Sequence, residues 1–290
     1  MRSGITLAAL IFLAIISVNA ESPAWLERVN FYRSTAFLPP VTEDAALSSA
    51  VRRHARYMLM HNSITHAENQ RDRWATPEGA AAAAASNLVG STRPMEDDFW
   101  AVDAWMQGPF HALGILDPAL KRVGFAMAHQ AQPKLLQTTA GLDVLSGRHA
   151  EAWQVVRYPI VWPGDGTAVP LTEYSGEHPD PLTSCRGYDA PAGLPLIVQL
   201  GPGQHNPHVT FSRITENGRA LEHCVFDENT YRNSNSTDQR LGRSILASRD
   251  AIVLIPRRPL KTGLTYNVIL DTNGARIAWS FTVGLLQALD

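Results

Sequence analysis

Apolar residues in the first half of the chain recur every three or four positions, which is the spacing of one face of an α-helix. Two stripes show this spacing, and their members are Trp25, Leu26, Val29 and Tyr32 in the first and Leu47, Val51, His54, Met58 and His61 in the second. The stripes predict helices over about 23–35 and about 43–61.

Two further helices are predicted where proline follows a polar residue, at Thr76-Pro77 and Arg93-Pro94, because proline is favoured in the first turn of a helix. The second of these helices is predicted to end at Gly108-Pro109, since proline cannot continue a helix. We therefore expect His111 to lie just outside regular helix.

Short apolar runs between Gly, Pro and Asn clusters predict β-strands. The runs lie at 123–127 and 135–139 in the first half and at 196–200, 209–214, 251–255, 265–269 and 277–283 in the second. The first half is thus predicted to place helices around a small sheet, and the second half to form a β-sandwich. The predicted fold class is α+β.

The N-terminus has the pattern of a cleavable signal peptide over residues 1–20. Arg2 precedes an almost wholly apolar run at 5–18, and the small residue Ala20 suits the cleavage position. The run is shorter than the roughly 20 residues that span a bilayer, so we expect no transmembrane anchor in the mature chain. The protein is predicted to be secreted or periplasmic.

Charge and cysteine content add two expectations. The 25 basic and 27 acidic side chains nearly balance, which argues against a nucleic-acid partner. The two cysteines, Cys185 and Cys224, predict a disulfide in an exported protein, although two free thiols or a metal pair are the alternatives.

Histidines are the most informative candidates for chemistry, because the sequence lacks the H-E-x-x-H, Walker, G-x-S-x-G and G-x-G-x-x-G motifs. His54 lies on the buried stripe of a helix and His61 at a helix end, and a structural role at these positions explains each of them without any chemistry. His66 and His111 follow predicted helix ends, where side chains can converge on a cleft.

The sequence around these histidines resembles bacterial CAP domains, also called SCP-like extracellular domains, over about residues 25–145. The matching motifs are Val29-Asn30-Phe31-Tyr32-Arg33, Leu38-Pro39-Pro40-Val41, Ile64-Thr65-His66, Ser86-Asn87-Leu88, Trp105-Met106, Pro109-Phe110-His111 and Val123-Gly124-Phe125. The resemblance implies an α-β-α sandwich over 21–150 and a cleft that, in this family, holds two histidines and two acidic residues.

Carried over by position, His66 and His111 match the two histidines of that cleft, but the acidic residues do not carry over. Ser86 replaces the glutamate of the family's G-E-N word, and the positions at Gln107 and Gly108 are not acidic. Two imidazoles alone leave a divalent cation such as zinc short of ligands, so we expect at most weak binding of such a metal and no other cofactor.

The sequence offers other residues as possible helpers of the two histidines. Glu68, Glu78 and Asp103 are the acidic candidates, and each has the alternative of a surface charge or a helix-cap acid. A hydrolytic site built on Ser86 with the two histidines is a further alternative, although Ser86 is equally suited to a turn.

The second half resembles the C-terminal extension of some bacterial CAP proteins, and its end, at 254–283, is similar to bacterial immunoglobulin-like modules. We therefore predict a linker at 151–165 and an immunoglobulin-like β-sandwich at 166–290. The word Glu177-His178-Pro179-Asp180-Pro181 is compatible with calcium or sugar binding, and equally with a rigid turn.

Three classes of function remain open. A non-catalytic binding protein, with a lipid, glycan or extracellular protein as ligand, is favoured, because the missing acids remove both metal ligands and a general base. A metal-assisted hydrolase that acts on peptide or cell-wall material is the alternative. A structural envelope component is the third class. Enzyme activity is thus undecided, with the balance against it.

Overall fold

The computed structural model describes residues 22–93, 96–131, 135–149, 151 and 156–284. The predicted signal peptide at 1–20 lies outside these residues. The elements of the first half are α1 (Ala24–Ser34), β1 (Thr42–Glu43), α2 (Ala45–His61), α3 (Pro77–Ala85), β2 (Ser86–Ser91), α4 (Asp98–Gln107), α5 (Pro109–Ile115), β3 (Arg122–His129) and β4 (Thr138–Asp143).

These elements form a four-stranded sheet with helices on both faces. The strand order is β1-β3-β4-β2, with β1 parallel to β3 and the other pairs antiparallel. Successive residues of a strand point to opposite faces. Phe125 of β3 stacks on Trp25 of α1, with ring centroids 5.0 Å apart, whereas the neighbouring Gly124 lies against α2. A Cβ at Gly124 would lie 2.3 Å from the Leu47 backbone, so this close approach requires glycine.

The helix boundaries follow from capping. Asp44 caps α2, because its side chain accepts from the backbone N–H groups of Ala46 and Leu47. Asn62 ends that helix in the left-handed conformation, with φ 49°. Thr76 caps α3 ahead of Pro77, as predicted. The helices predicted over 23–35 and 43–61 are confirmed to within two residues at each end.

The prediction that His111 lies outside regular helix is wrong. Pro109 does end α4, but it also occupies the first turn of α5, where its missing N–H costs nothing. His111 therefore lies in the first turn of a short helix. The strand predicted at 135–139 is displaced toward the C-terminus and is observed at Thr138–Asp143.

The second half contains two main sheets. Its strands are β5 (Ile160–Trp162), β6 (Thr167–Val169), β7 (Glu173–Tyr174), β8 (Ala192–Gly193), β9 (Leu196–Gln199), β10 (Val209–Glu216), β11 (Arg219–Leu221), β12 (His223–Phe226), β13 (Ala251–Pro256), β14 (Thr265–Thr272) and β15 (Ala275–Val283). One sheet has the order β11-β10-β14-β15-β6 and the other has the order β12-β13-β9-β5. The α+β class is confirmed, and the immunoglobulin-like identity stays a prediction.

The all-β prediction for the second half missed the α-helix α6 (Ser236–Ala247). Asn235 caps it by accepting from the N–H groups of Thr237 and Asp238, and its apolar residues Leu241 and Ile245 lie one turn apart. The Cys185–Cys224 disulfide is confirmed, and it joins the end of a short 3₁₀ helix to β12.

The two halves share one apolar core. Trp162 packs edge-on against Tyr32 with ring centroids 6.2 Å apart, and its Nε1 donates to Thr35 Oγ1 at 3.1 Å. The stretch 151–165, predicted as a linker, includes β5, which pairs with β9. The predicted boundaries, a CAP-like domain at 21–150 and a β-sandwich at 166–290, stay a prediction. No helix in the described part of the chain is long and apolar enough to cross a membrane.

Candidate functional site

A cleft of about 440 Å³ lies between the helical half and the second half. Helix α5, the start of β2 and the turn after β4 form one wall, and α6 and residues 178–179 contribute the other. Three histidines line it, namely His66, His111 and His178. Eight of the remaining lining residues are apolar: Ala84, Ala85, Phe110, Val144, Leu145, Pro179, Leu241 and Ile245. The structure therefore brings His66 and His111 into one cleft.

His111 is held by Glu177, a carboxylate that the second half contributes. His111 Nδ1 donates to Glu177 Oε2 at 2.7 Å, and the same carboxylate accepts the backbone N–H groups of Phe110 at 3.0 Å and His111 at 3.1 Å. The Glu177 side chain is only 2% exposed. The carboxylate thus occupies the N-terminal turn of α5 and fixes the His111 ring with Nδ1 as the protonated nitrogen that faces it.

His66 is held in the same tautomer by a different acceptor. Its Nδ1 lies 2.9 Å from the backbone oxygen of Ala83, and because a carbonyl only accepts, Nδ1 carries the proton. Burial lowers the pKa of the His66 imidazole, and the nearby His111, His54 and His178 lower it further. His66 is therefore uncharged at neutral pH, with Nε2 as a hydrogen-bond acceptor.

The acidic helpers considered from the sequence lie elsewhere. Glu68 is buried and accepts from His54 Nδ1 at 2.9 Å, so it pairs with the core histidine instead of His66. Asp103 accepts from Arg28 at 2.6 Å and from Tyr32 at 2.7 Å. Glu78 is exposed in the first turn of α3. None of the three is among the residues that line the cleft.

Ser86, the fourth helper, does line the cleft. It is the first residue of β2, and its buried Oγ has no hydrogen-bond partner. The neighbouring Asn87 donates from Nδ2 to the His111 backbone oxygen at 3.0 Å. The Oγ of Ser86 is within hydrogen-bond distance of neither histidine, so no preformed nucleophile and base pair is present here.

The residues of the cleft do not fit a resident divalent metal. No group of three His, Cys, Asp or Glu side chains is placed to hold an ion within the described ranges. A catalytic zinc site normally has three protein ligands, and Glu177 is engaged by three donors behind His111. The weak metal binding expected from the sequence stays a prediction.

Sequence reasoning missed the part of the site that comes from the second half. Glu177 is 66 residues beyond His111, and Arg249 and the two apolar residues of α6 also line or support the cleft. The motif at 177–181 was noted in the sequence, and Asp180 in it accepts from Tyr174 and Leu182, as expected for a rigid turn. Nothing in that motif indicated that Glu177 pairs with His111.

Comparison with known proteins bears on the first half of the chain. Residues 26–137 match the model of the CAP family, described as the cysteine-rich secretory protein family. No curated protein matches the chain. Among solved structures, an outer surface protein of Borrelia burgdorferi is similar at 14% identity and a TM-score of 0.32, over 43% of this chain and 90% of that one. This likeness is too low to indicate function. The family match and the helices on both faces of the sheet together support a CAP domain over residues 26–137.

Proposed function

We propose that this is an exported binding protein whose cleft takes a small, mainly apolar molecule. The CAP domain suggests an interaction protein of the extracellular type. The observation that carries the proposal is the cleft of about 440 Å³ with apolar walls from both halves. Small-molecule sites are typically concave and mainly apolar with a few placed polar groups.

The mouth of the cleft exposes two large apolar side chains that a ligand would cover. Leu241 of α6 is 48% exposed and Leu145, beyond β4, is 44% exposed, and both line the cleft. Exposed apolar groups that cluster at a concavity mark binding sites more often than isolated ones do. Of the ligands expected from the sequence, a lipid-like molecule matches these walls better than a glycan.

The polar groups of the cleft are suited to orienting a ligand. His66 and His111 each have Nδ1 occupied by a protein acceptor, so each has its Nε2 available to a ligand. The fixed tautomers preorganise this arrangement, which lowers the entropic cost of binding. A metal-assisted hydrolase has less support, because the carboxylates of Glu68, Asp103 and Glu177 already accept hydrogen bonds from other residues.

Export is part of this proposal. The predicted signal peptide at 1–20 and the Cys185–Cys224 disulfide both indicate an oxidising compartment outside the cytoplasm. Whether the protein is periplasmic or released is a separate question that N-terminal sequencing of each fraction answers.

Binding at the cleft is tested with N-phenylnaphthylamine, an uncharged aromatic dye that fluoresces in apolar sites. We expect saturable binding to the mature protein, and Leu241→Ser should weaken it about tenfold, since a buried leucine contributes roughly 1.5–3 kcal/mol. The measurement is a fluorescence titration.

Phe211 of β10 provides the matched control, because its side chain is 45% exposed and it does not line the cleft. Phe211→Ser should leave the affinity for the dye unchanged. The absence of saturable binding, or an equal loss in the two variants, would count against the proposed cleft function.

A further inference from the structure

Arg249 is a buried cation beside the cleft, at the junction between α6 and β13. Its side chain is 7% exposed and lines the cleft. Its Nη2 donates to Asp117 Oδ2 at 2.7 Å and its Nη1 donates to Ser248 Oγ at 2.7 Å. Its Nε is buried and has no hydrogen-bond partner. A buried guanidinium with an unused donor is costly unless a partner completes its hydrogen bonds.

The charge of Arg249 is only partly offset within the protein. Asp117 is its carboxylate partner, but Arg148 Nε also lies 2.8 Å from Asp117 Oδ2 in a salt bridge. Two guanidinium groups thus share one buried carboxylate. Burial lowers the pKa of Arg249, yet a guanidinium remains protonated at neutral pH. Arg148 is 39% exposed, so water also solvates its charge, whereas Arg249 lies in the cleft wall with little access to water.

The lining of the cleft contains no carboxylate among the described residues. Its ionisable members are Arg249 and the three histidines. Glu177, Asp238 and Asp117 contact lining residues and are paired with them, Glu177 with Phe110 and His111, Asp238 with His178 and Asp117 with Arg249. None of these three carboxylates is itself among the residues that line the cleft.

A second unused donor lines the same cleft. The Oγ of Ser86 is buried without a hydrogen-bond partner, as is Nε of Arg249. Buried polar atoms are usually paired in native proteins, so a ligand that accepts hydrogen bonds suits these two lining residues better than one that does not. An acidic group has several acceptor oxygens and satisfies this need.

We infer that the ligand of the cleft carries an acidic group, such as a carboxylate, sulfonate or phosphate, which lies beside Arg249 while an apolar body covers the leucines. This inference rests on the proposed binding function and adds the charge of the ligand. A hydrogen bond between an ionised pair is stronger and more directional than one between neutral groups, which gives the site selectivity for anions.

Two dyes with the same aromatic body test the inference. Anilinonaphthalene sulfonate carries an acidic group, and N-phenylnaphthylamine lacks it. We expect the mature protein to bind the sulfonate at least about tenfold more tightly, because a hydrogen bond to a charged group contributes that much or more. Arg249→Gln should abolish most of this preference, so that the ratio of the two affinities falls toward one.

Arg148→Gln is the matched control, because Arg148 uses the same carboxylate but does not line the cleft. It should keep the preference for the sulfonate. Arg249→Lys keeps the charge and should keep part of the preference, and circular dichroism verifies that each variant is folded. If Arg249→Gln does not fold, the wild-type ratio and the lysine variant still decide the matter.

The outcomes separate this inference from the proposed function. Equal affinity for the two dyes in the wild type, or a preference that Arg249→Gln leaves intact, overturns the inference while the cleft function stands. No saturable binding of either dye overturns both. A preference lost equally in Arg148→Gln also overturns it, because the effect then comes from the general field of the protein.

Discussion

Glu177→Ala is expected to lower the free energy of unfolding by about 3–5 kcal/mol, because three donors lose one shared acceptor and each unsatisfied buried donor costs about 1–3 kcal/mol. The change leaves the backbone N–H groups of Phe110 and His111 and the Nδ1 of His111 without their shared acceptor. Unpaired buried donors keep their full desolvation penalty. Urea denaturation followed by circular dichroism measures the loss.

The control for this prediction is Glu222→Ala, because Glu222 is an exposed carboxylate that pairs with Arg257 at 2.7 Å. It should leave the urea midpoint unchanged. Glu177→Gln keeps an oxygen acceptor of the same shape and should fall between the wild type and the alanine variant. If Glu177→Ala is as stable as the wild type, the carboxylate does not join the two halves in the way described above.

Asp117→Ala has the second large expected effect, also about 3–5 kcal/mol of unfolding free energy. Asp117 is buried, and its carboxylate accepts from Arg249 and from the backbone N–H of Ala119 at 2.8 Å and forms a salt bridge with Arg148. Its removal leaves the buried guanidinium of Arg249 without a counter-charge. Chemical denaturation of the purified variant gives the value.

A double variant makes this prediction specific. Asp117→Ala combined with Arg249→Met removes both charges and should be more stable than Asp117→Ala alone, because an unpaired buried charge costs more than an apolar replacement. Asp271→Ala, which removes an acid of the exposed pair with Arg276, should leave the midpoint unchanged. A double variant that is less stable than the single one contradicts the account of this ion pair.

The local parts of the fold were predictable from the sequence because local chemistry determines them. The α1 and α2 helices follow from apolar spacing and from caps such as Asp44, and the strands of the second half follow from short apolar runs. The α5 helix was missed because Pro109 both ends α4 and lies in the first turn of α5. When two helices adjoin, the sequence alone does not show whether a proline only ends a helix or also begins the next one.

The candidate site was predictable only on one side. His66 and His111 were identified by their positions in a series of sequence motifs that resembles CAP domains, and the structure places both in one cleft. The opposite wall comes from residues such as Glu177 and Arg249, which are far away in the chain. Their contacts depend on how the two halves pack, and no spacing rule encodes that packing.

The central claim is that the histidine cleft binds a ligand, and histidine side-chain NMR tests it most directly. We predict that saturation of the mature protein with N-phenylnaphthylamine shifts the imidazole signals of His66 and His111. The signals of His129 and His223, which bond to Thr138 and Ser212 outside the cleft, should not move. Dye binding with unchanged His66 and His111 signals, or with shifts at His129 or His223 instead, would contradict the account.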